Sequence, residues 1–302
     1  MSDQFVQQTE PEEAFAALSN ETRLKILQVL WKSDVQTIPF SELRRTVGMR
    51  DPGQFNYHLD KLIGQFVIKT DGGYQLTQAG KHVNGAIASG MYTADGTLDP
   101  IVLNHSCQNS GDPLMLRYEN ETVRIGCDSC SSCPSGWEAP IPPSVFAGYD
   151  RNEIPETVSQ YFRTKVQQVT NGFCPFCNGQ MKPTVELVDA MDGDRSSEIE
   201  FENSNRQSLD PVVLFDCQQC GTESQVALYH ALLLAEPGVA SFHYENGIVV
   251  QERFIWELSE LSPVKVDIES RNPIQLDVTY RAGDSTLSVV VDEAFDIIEI
   301  DT

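Results

Sequence analysis

The chain has 302 residues, 40% of them hydrophobic, and carries 44 Asp and Glu against 21 Lys and Arg, a formal charge of −23. A domain holds ~100–200 residues, so this length implies two or three packed domains, and the apolar content excludes wholesale disorder. The acidity excludes a whole-chain nucleic-acid coat protein or a polybasic membrane binder, and no apolar run approaches the ~20 residues of a membrane span.

The opening Met1-Ser2-Asp3-Gln4 has neither the basic nor the apolar region of a signal peptide. A soluble, cytoplasmic protein is expected. The charge is uneven. Residues 1–90 hold ten acids and nine bases, a net of −1, whereas residues 91–302 hold 34 acids and twelve bases, a net of −22. The N-terminal part has escaped the general acidity, and a polyanionic partner is the usual reason.

In chain order, Pro11 to Leu18 starts with a proline and two acids, as helix starts prefer. Ser19 or Asn20 can cap a second helix whose apolar positions are Leu24, Ile26, Leu27, Leu30 and Trp31. A third helix is predicted from about Ser41 to Val47, ending at Gly48. A turn over Met49 to Gly53 leads to a fourth helix, Gln54 to Ile63, with Phe55, Leu59 and Leu62 facing inward. Phe66 to Thr70 and Tyr74 to Leu76 flank Asp71-Gly72-Gly73 as a hairpin, and a fifth helix opens near Gln78. This order predicts a winged helix-turn-helix over residues 10–95.

In that arrangement the fourth helix enters the major groove of double-stranded DNA. Gln54, Asn56, Tyr57 and Lys61 are left for contacts, the amides suiting adenine edges and Tyr and Lys suiting phosphates. Arg44, Arg45, Arg50 and Lys69 are expected at the backbone. His58 sits beside the core stripe and reads as a packing residue.

Eight cysteines follow: Cys107, Cys127, Cys130, Cys133, Cys174, Cys177, Cys217 and Cys220. CxxC pairs without a secretion signal read as metal sites. Cys174-Pro-Phe-Cys177 and Cys217-Gln-Gln-Cys220 supply four thiolates, the set for tetrahedral Zn2+. Strand-like runs at Thr184 to Val188 and Val212 to Phe215 lie between them, with an acidic polar insert, Asp189 to Ser208, read as a mobile loop. A redox-active pair is the alternative, but no thioredoxin-like βαβ pattern surrounds either motif. A second zinc-ribbon layout joins Cys107 to Cys127 and Cys130 through a predicted hairpin, Leu114 to Tyr118 and Thr122 to Gly126. Ser110 stands where its second cysteine belongs. Cys133 or His105 is a candidate for the missing ligand; the alternative is a decayed site.

Thr93 to Pro100 reads as a linker. Ile154, Val158, Tyr161, Phe162, Val166 and Val169 share one helical face, which Asn171-Gly172 terminates. Val226 to Ala235 reads as a short buried helix. Ile274 to Tyr280, Leu287 to Val291 and Ile297 to Ile300 read as an antiparallel meander. Trp256, near Phe254, reads as core, with a place on a pocket wall as the alternative. The predicted fold class is α+β: the winged helix, a degenerate zinc-ribbon-like module over 101–150, and a helix, zinc-ribbon and β-rich domain over 151–302. No Gly-rich phosphate loop, GxSxG or HExxH occurs, so catalysis is not expected.

Ala17-Leu18-Ser19-Asn20-Glu21-Thr22-Arg23-Leu24-Lys25-Ile26-Leu27, Phe55 to Leu62 and Gly73-Tyr74-Gln75-Leu76-Thr77 together resemble the ArsR-like winged-helix regulators. The resemblance implies a dimeric DNA-binding domain, with residues 79–94 as a dimer helix. Unlike metal-sensing members, Ser41 to Arg45 carries no cysteine and the fifth helix only His82, so metal sensing is not carried over to this domain. Over most of the chain, Pro142 to Gly148, Gly172-Phe173-Cys174-Pro175 and Trp256-Glu257-Leu258 are similar to haloarchaeal ArsR-like regulators with cysteine-rich C-terminal halves. The acidic, lysine-poor composition suits a halophilic source. The expectation is a homodimeric transcriptional regulator with one or two zinc ions. A metal- or redox-responsive sensor, or an adaptor whose winged helix no longer reads DNA, is the alternative.

Overall fold

A computed structural model describes residues 10–130, 136–189 and 209–302. The chain divides into two compact units, one ending at Asp95 and the other running from Gly96 to Thr302. The fold is α+β, with helices dominating the first unit and antiparallel sheets the second. Among the described residues, no helix is long and apolar enough to cross a membrane.

The first unit is a winged helix-turn-helix: α1 (Pro11–Leu18), α2 (Glu21–Trp31), α3 (Phe40–Val47), α4 (Pro52–Asp60), the hairpin β1 (Val67–Thr70) and β2 (Gly73–Leu76), then α5 (Gln78–Ser89). Asn20 caps α2 by accepting from the Arg23 N–H at 3.2 Å. Gly48, with φ of 86°, closes α3 in the left-handed region that glycine tolerates. The fourth helix begins two residues before its predicted start and ends three residues before its predicted end. Asp51 accepts from the N–H groups of Gly53 and Gln54 at 2.7 and 3.0 Å, and Pro52 fits the first turn. Ile26, Leu27, Leu43, Phe55, Leu59, Leu62 and Val67 are fully buried beneath these elements. Ile38 adds a one-residue third strand, exchanging backbone hydrogen bonds of 3.0 and 2.9 Å with Tyr74. Gly73 makes that approach possible, because a Cβ there would sit 2.3 Å from the Ile38 oxygen.

The second unit holds three antiparallel sheets. The first is β3 (Leu98–Ser106), β4 (Pro113–Glu119), β5 (Thr122–Gly126) and β6 (Trp137–Pro140), in sequential order. After α6 (Ile154–Thr170) comes a sheet of β7 (Met181–Asp189), β8 (Leu209–Cys217) and β9 (Glu223–Ala227). Helices α7 (Leu228–Ala235) and α8 (Pro237–Glu245) precede the meander of β10 (Lys265–Arg271), β11 (Ile274–Ala282), β12 (Ser285–Asp292) and β13 (Ile297–Asp301). Strands β3, β6, β9 and β10 add to the predicted set: β3 takes Leu98 to Pro100 from the predicted linker, and β9 takes Val226 and Ala227 from the predicted helix. Nearly all of the 189–208 insert lies outside the described residues.

The modules delimited at 101–150 and 151–302 share one core, running from Leu103 through Cys174 and Phe215 to Val291. Their predicted boundary falls at a point where the chain enters that core, since Ile154 and Val158 of α6 are buried in it. Polar bonds add to this joining. His105 Nε2 on β3 lies 2.6 Å from Glu257 Oε1, on the 3-10 turn Ile255–Leu261. Arg163 of α6 is buried, and its Nη2 donates to the Val250 carbonyl at 2.8 Å and to the Arg253 carbonyl. Burial pulls its guanidinium below the usual value, with nearby Glu156 and Glu257 opposing the shift. Arg163→Met is expected to destabilise this unit by about 2–3 kcal/mol, because two buried carbonyls lose a charged donor. Urea unfolding at fixed salt checks this; an unchanged midpoint would mean that the carbonyls find other partners.

Candidate functional site

Two clusters of cysteine sulfurs dominate the second unit. Cys174, Cys177, Cys217 and Cys220 form one, and Cys107, Cys127 and Cys130 form the other; within each, all sulfurs lie within 4.8 Å of one another. Cys174 Sγ is 3.7 Å from Cys220 Sγ, and Cys177 Sγ is 3.4 Å from Cys217 Sγ. A disulfide needs ~2.05 Å, whereas thiolates at ~2.3 Å from a tetrahedral zinc stand about 3.8 Å apart. The described cysteines are unbridged, and the spacing fits a metal ion.

Local folding explains the geometry. The Cys174 N–H donates to the Gly179 carbonyl at 2.9 Å and its carbonyl accepts from the Asn178 N–H at 3.0 Å. The Cys217 knuckle repeats this, with Thr222 at 2.9 Å and Gly221 at 3.1 Å. Asn178 and Gly221 take the positive φ values, 58° and 73°, that turn the chain. Backbone N–H groups then point at sulfur: Phe176 to Cys174 at 3.4 Å, Gly179 to Cys177 at 3.3 Å and Cys220 to Cys217 at 3.4 Å. Such donors favour the thiolate. The hydroxyl and backbone N–H of Thr222 pull the Cys220 thiol down to about 6. Cys174 and Cys217 are buried in the shared core, so the centre is part of the packing.

The other cluster is built on the same knuckle. The Cys107 N–H donates to the Asp112 carbonyl at 2.7 Å, and its carbonyl accepts from the Gly111 N–H at 2.8 Å. Gly111 has φ of 77°. Ser110 therefore occupies the position of Cys177 and Cys220, three residues after the first ligand. The Asp112 N–H points at Ser110 Oγ at 3.2 Å, as the Gly179 N–H points at Cys177 Sγ. Ser110 Oγ donates to Cys127 Sγ at 3.6 Å and lowers that thiol, while Cys107 and Cys130 Sγ are 3.7 Å apart. His105 does not join them, because its ring goes to Glu257. Cys133 lies outside the described residues.

In the first unit, Gln54, Asn56 and Tyr57 are exposed along α4, over the buried Phe55 and Leu59, and Lys61 is exposed at its C-cap. Asn56 Nδ2 donates to Asp60 Oδ2 at 2.6 Å, and Lys61 Nζ sits 6.0 Å from the Tyr57 ring centroid. Arg45, Arg50 and Lys69 are exposed. Arg44 is not a free cation: its Nη1 donates to the carbonyls of Met49 and Arg50 at 2.9 and 2.7 Å. It holds the turn between α3 and α4. Arg44, Arg45 and Arg50 still line one surface notch. The turn-holding role was not legible from spacing, since it depends on where the carbonyls point.

Residues 104–297 match a sequence family described as a domain of unknown function (DUF7351), and residues 11–87 match a second domain of unknown function (DUF7347). No curated protein matches the chain. The DUF7351 match spans more than half of the sequence, and the chain belongs to that family.

Proposed function

We propose that this DUF7351 family member is a sequence-reading transcriptional regulator that binds double-stranded DNA as a homodimer and uses zinc as a structural metal. The observation that carries the reading is the outward face of α4. Gln54, Asn56, Tyr57 and Lys61 project from a helix whose inner face is locked in the core, with Arg45, Arg50 and the wing residue Lys69 beside it. Bases nearly balance acids on this unit alone, nine against ten over residues 1–90, in a chain of net charge −23. Amides can read base edges and cations can hold phosphates. Phe15, Ile87, Met91 and Tyr92 leave apolar surface exposed on α1, on α5 and just after it, which supports a self-contact there. The likeness to ArsR-like regulators supports the same reading. Cysteines held unbridged as ligand sets suit a cytoplasmic protein.

Zinc at Cys174, Cys177, Cys217 and Cys220 supplies folding energy, with all four thiolates engaged and no open position. A second reading, that of a metal- or redox-responsive sensor, is favoured by Ser110, which leaves the other cluster with three thiolates among the described residues.

Selection of genomic fragments on the purified full chain, at the salt of its source, tests the main reading. A recurring inverted repeat is expected. Gln54→Ala/Asn56→Ala is expected to lose at least about 30-fold in affinity for it, as each of the two amide–adenine pairs contributes ~1–3 kcal/mol, with non-specific binding unchanged. Fragments with no shared motif would sink the regulator and favour an adaptor.

A further inference from the structure

A cleft of about 610 Å³ opens in the second unit, bounded by β6, α6, β9, α7 and the 3-10 turn Ile255–Leu261. Small-molecule sites occupy ~300–1,000 Å³ and are mostly apolar with a few placed polar groups. The walls here are rings: Trp137, Tyr161, Phe162, Tyr229 and Trp256 all line it. Trp137 meets Phe162 edge-on at 4.4 Å, and Tyr161 meets Phe162 at 5.1 Å, so the wall is a locked aromatic array. Phe176, 76% exposed between two metal ligands, stands at the same cleft. A large apolar ring left in water beside an apolar cleft is surface that a ligand would cover.

The polar groups are nitrogens. Trp256 is only 4% exposed, and its Nε1 is buried with no hydrogen-bond partner, as is Nε2 of His230. A buried N–H without a partner costs about 1–3 kcal/mol, so Trp256 Nε1 is suited to an incoming acceptor, and His230 Nε2 joins it in the tautomer that carries the proton there. Burial pushes His230 down to about 4, so its ring is neutral near pH 7 and adds no charge. Lys165 is the one cation on the wall. Its Nζ lies 5.3 Å from the Tyr161 ring centroid; burial lowers its pKa, the Cys174 sulfur opposing the shift, and no carboxylate pairs with it among the described residues. Of the two acids at the cleft, Glu138 is paired with Arg124 at 2.6 Å and Glu223 is exposed.

We propose that this cleft binds a small planar aromatic carboxylate, its rings stacked among Trp137, Tyr161, Phe162 and Trp256 and its carboxylate turned to Lys165 and the buried nitrogens. The site goes beyond the regulator reading and does not rest on it, because binding is measured without DNA. Phe176 and Thr222, which flank ligands of the four-cysteine centre, border the cleft, so an occupant would touch the metal knuckles directly.

The test is calorimetric titration of the full-length, zinc-loaded protein with 2-naphthoate and, in parallel, with neutral 2-naphthylmethanol. One-to-one saturable binding of 2-naphthoate is expected, tighter than that of the alcohol. Lys165→Met should weaken 2-naphthoate about tenfold, as for a lost charge-assisted hydrogen bond, and leave the alcohol unchanged. Gln225→Trp, from an exposed strand position on the cleft wall, should block both. Zinc content and circular dichroism of each variant show whether it is folded. No saturable heat with either compound, or full binding to a folded Gln225→Trp protein, would overturn the site. Equal weakening of both compounds in Lys165→Met would overturn the carboxylate assignment.

Discussion

Removing the metal from Cys174, Cys177, Cys217 and Cys220 is expected to unfold the second unit while the winged helix stays folded. The four sulfurs are not an appendage. Cys217 pairs with Met181 at the end of the β7–β8 ladder, and Cys174, Met181 and Cys217 are all buried in the core that continues to Val291. Without a cation, four sulfurs within 4.8 Å of one another either repel as thiolates or take up protons and lose the N–H donors aimed at them. Structural zinc contributes ~10–16 kcal/mol of apparent binding energy, as large as the ~5–15 kcal/mol by which a whole domain is stable. The first unit has a separate core, centred on Ile26, Leu43, Phe55 and Leu59, and no cysteine. Chelation should therefore remove most of the strand signal in circular dichroism, leaving the wing hairpin and the helical signal of α1 to α5. Cys217→Ser should do the same without chelator. Tryptophan emission should shift for Trp137 and Trp256 but not for Trp31. An apo protein with unchanged spectrum and urea midpoint would show that the sheet and its core suffice.

The elements that could be read from residues alone were those specified locally. Phe55, Leu59 and Leu62 recur at helical spacing, Asp71-Gly72 is a two-residue hairpin turn, and Cys174-Pro-Phe-Cys177 is a knuckle by composition. Each carries its signal within about ten residues. What escaped depends on distant partners. β10 pairs with β11 through Val266 and Val278, and Lys265 to Arg271 by itself shows only a weak alternation of burial. β6 is a four-residue edge strand with a proline, recognisable only once β5 is in place. The fourth helix was placed too late because Asp51-Pro52 resembles a turn until the cap bonds are drawn. Trp256 fits both sequence readings, since it is buried and also lines the cleft. That cleft is assembled from five separate stretches of chain, so no local pattern announces it. His105 and Arg44 show the same limit: their partners, Glu257 and the carbonyls of Met49 and Arg50, are set by the fold and not by neighbouring sequence.

Ser110→Cys is expected to tighten metal binding at the Cys107/Cys127/Cys130 cluster on the order of 100-fold. The backbone is ready for it. The Cys107 knuckle has the hydrogen bonds and the left-handed residue of the two complete knuckles, and Ser110 stands at the ligand position with the Asp112 N–H aimed at its Oγ. Only the donor atom differs, and a serine hydroxyl stays protonated at neutral pH while a thiol there would meet the same N–H that favours a thiolate. If ~10–16 kcal/mol is shared over four ligands, one thiolate is worth about 3 kcal/mol, which is that factor. Cobalt makes the change visible, since sulfur-to-metal charge-transfer absorption grows with each thiolate bound. The rival arrangement has Cys133 as fourth ligand. In that case Ser110→Cys would leave affinity unchanged, and Cys133→Ala would lower it by the same factor. The two variants thus separate a centre held short of a ligand from one already complete. The distinction bears on regulation. On the sensor reading, a three-thiolate site would release its ion more readily than the four-cysteine centre and would respond to metal supply or oxidation while the unit stays folded. If the Ser110→Cys protein gains affinity and its DNA binding no longer responds to added chelator, the serine is what keeps the site responsive.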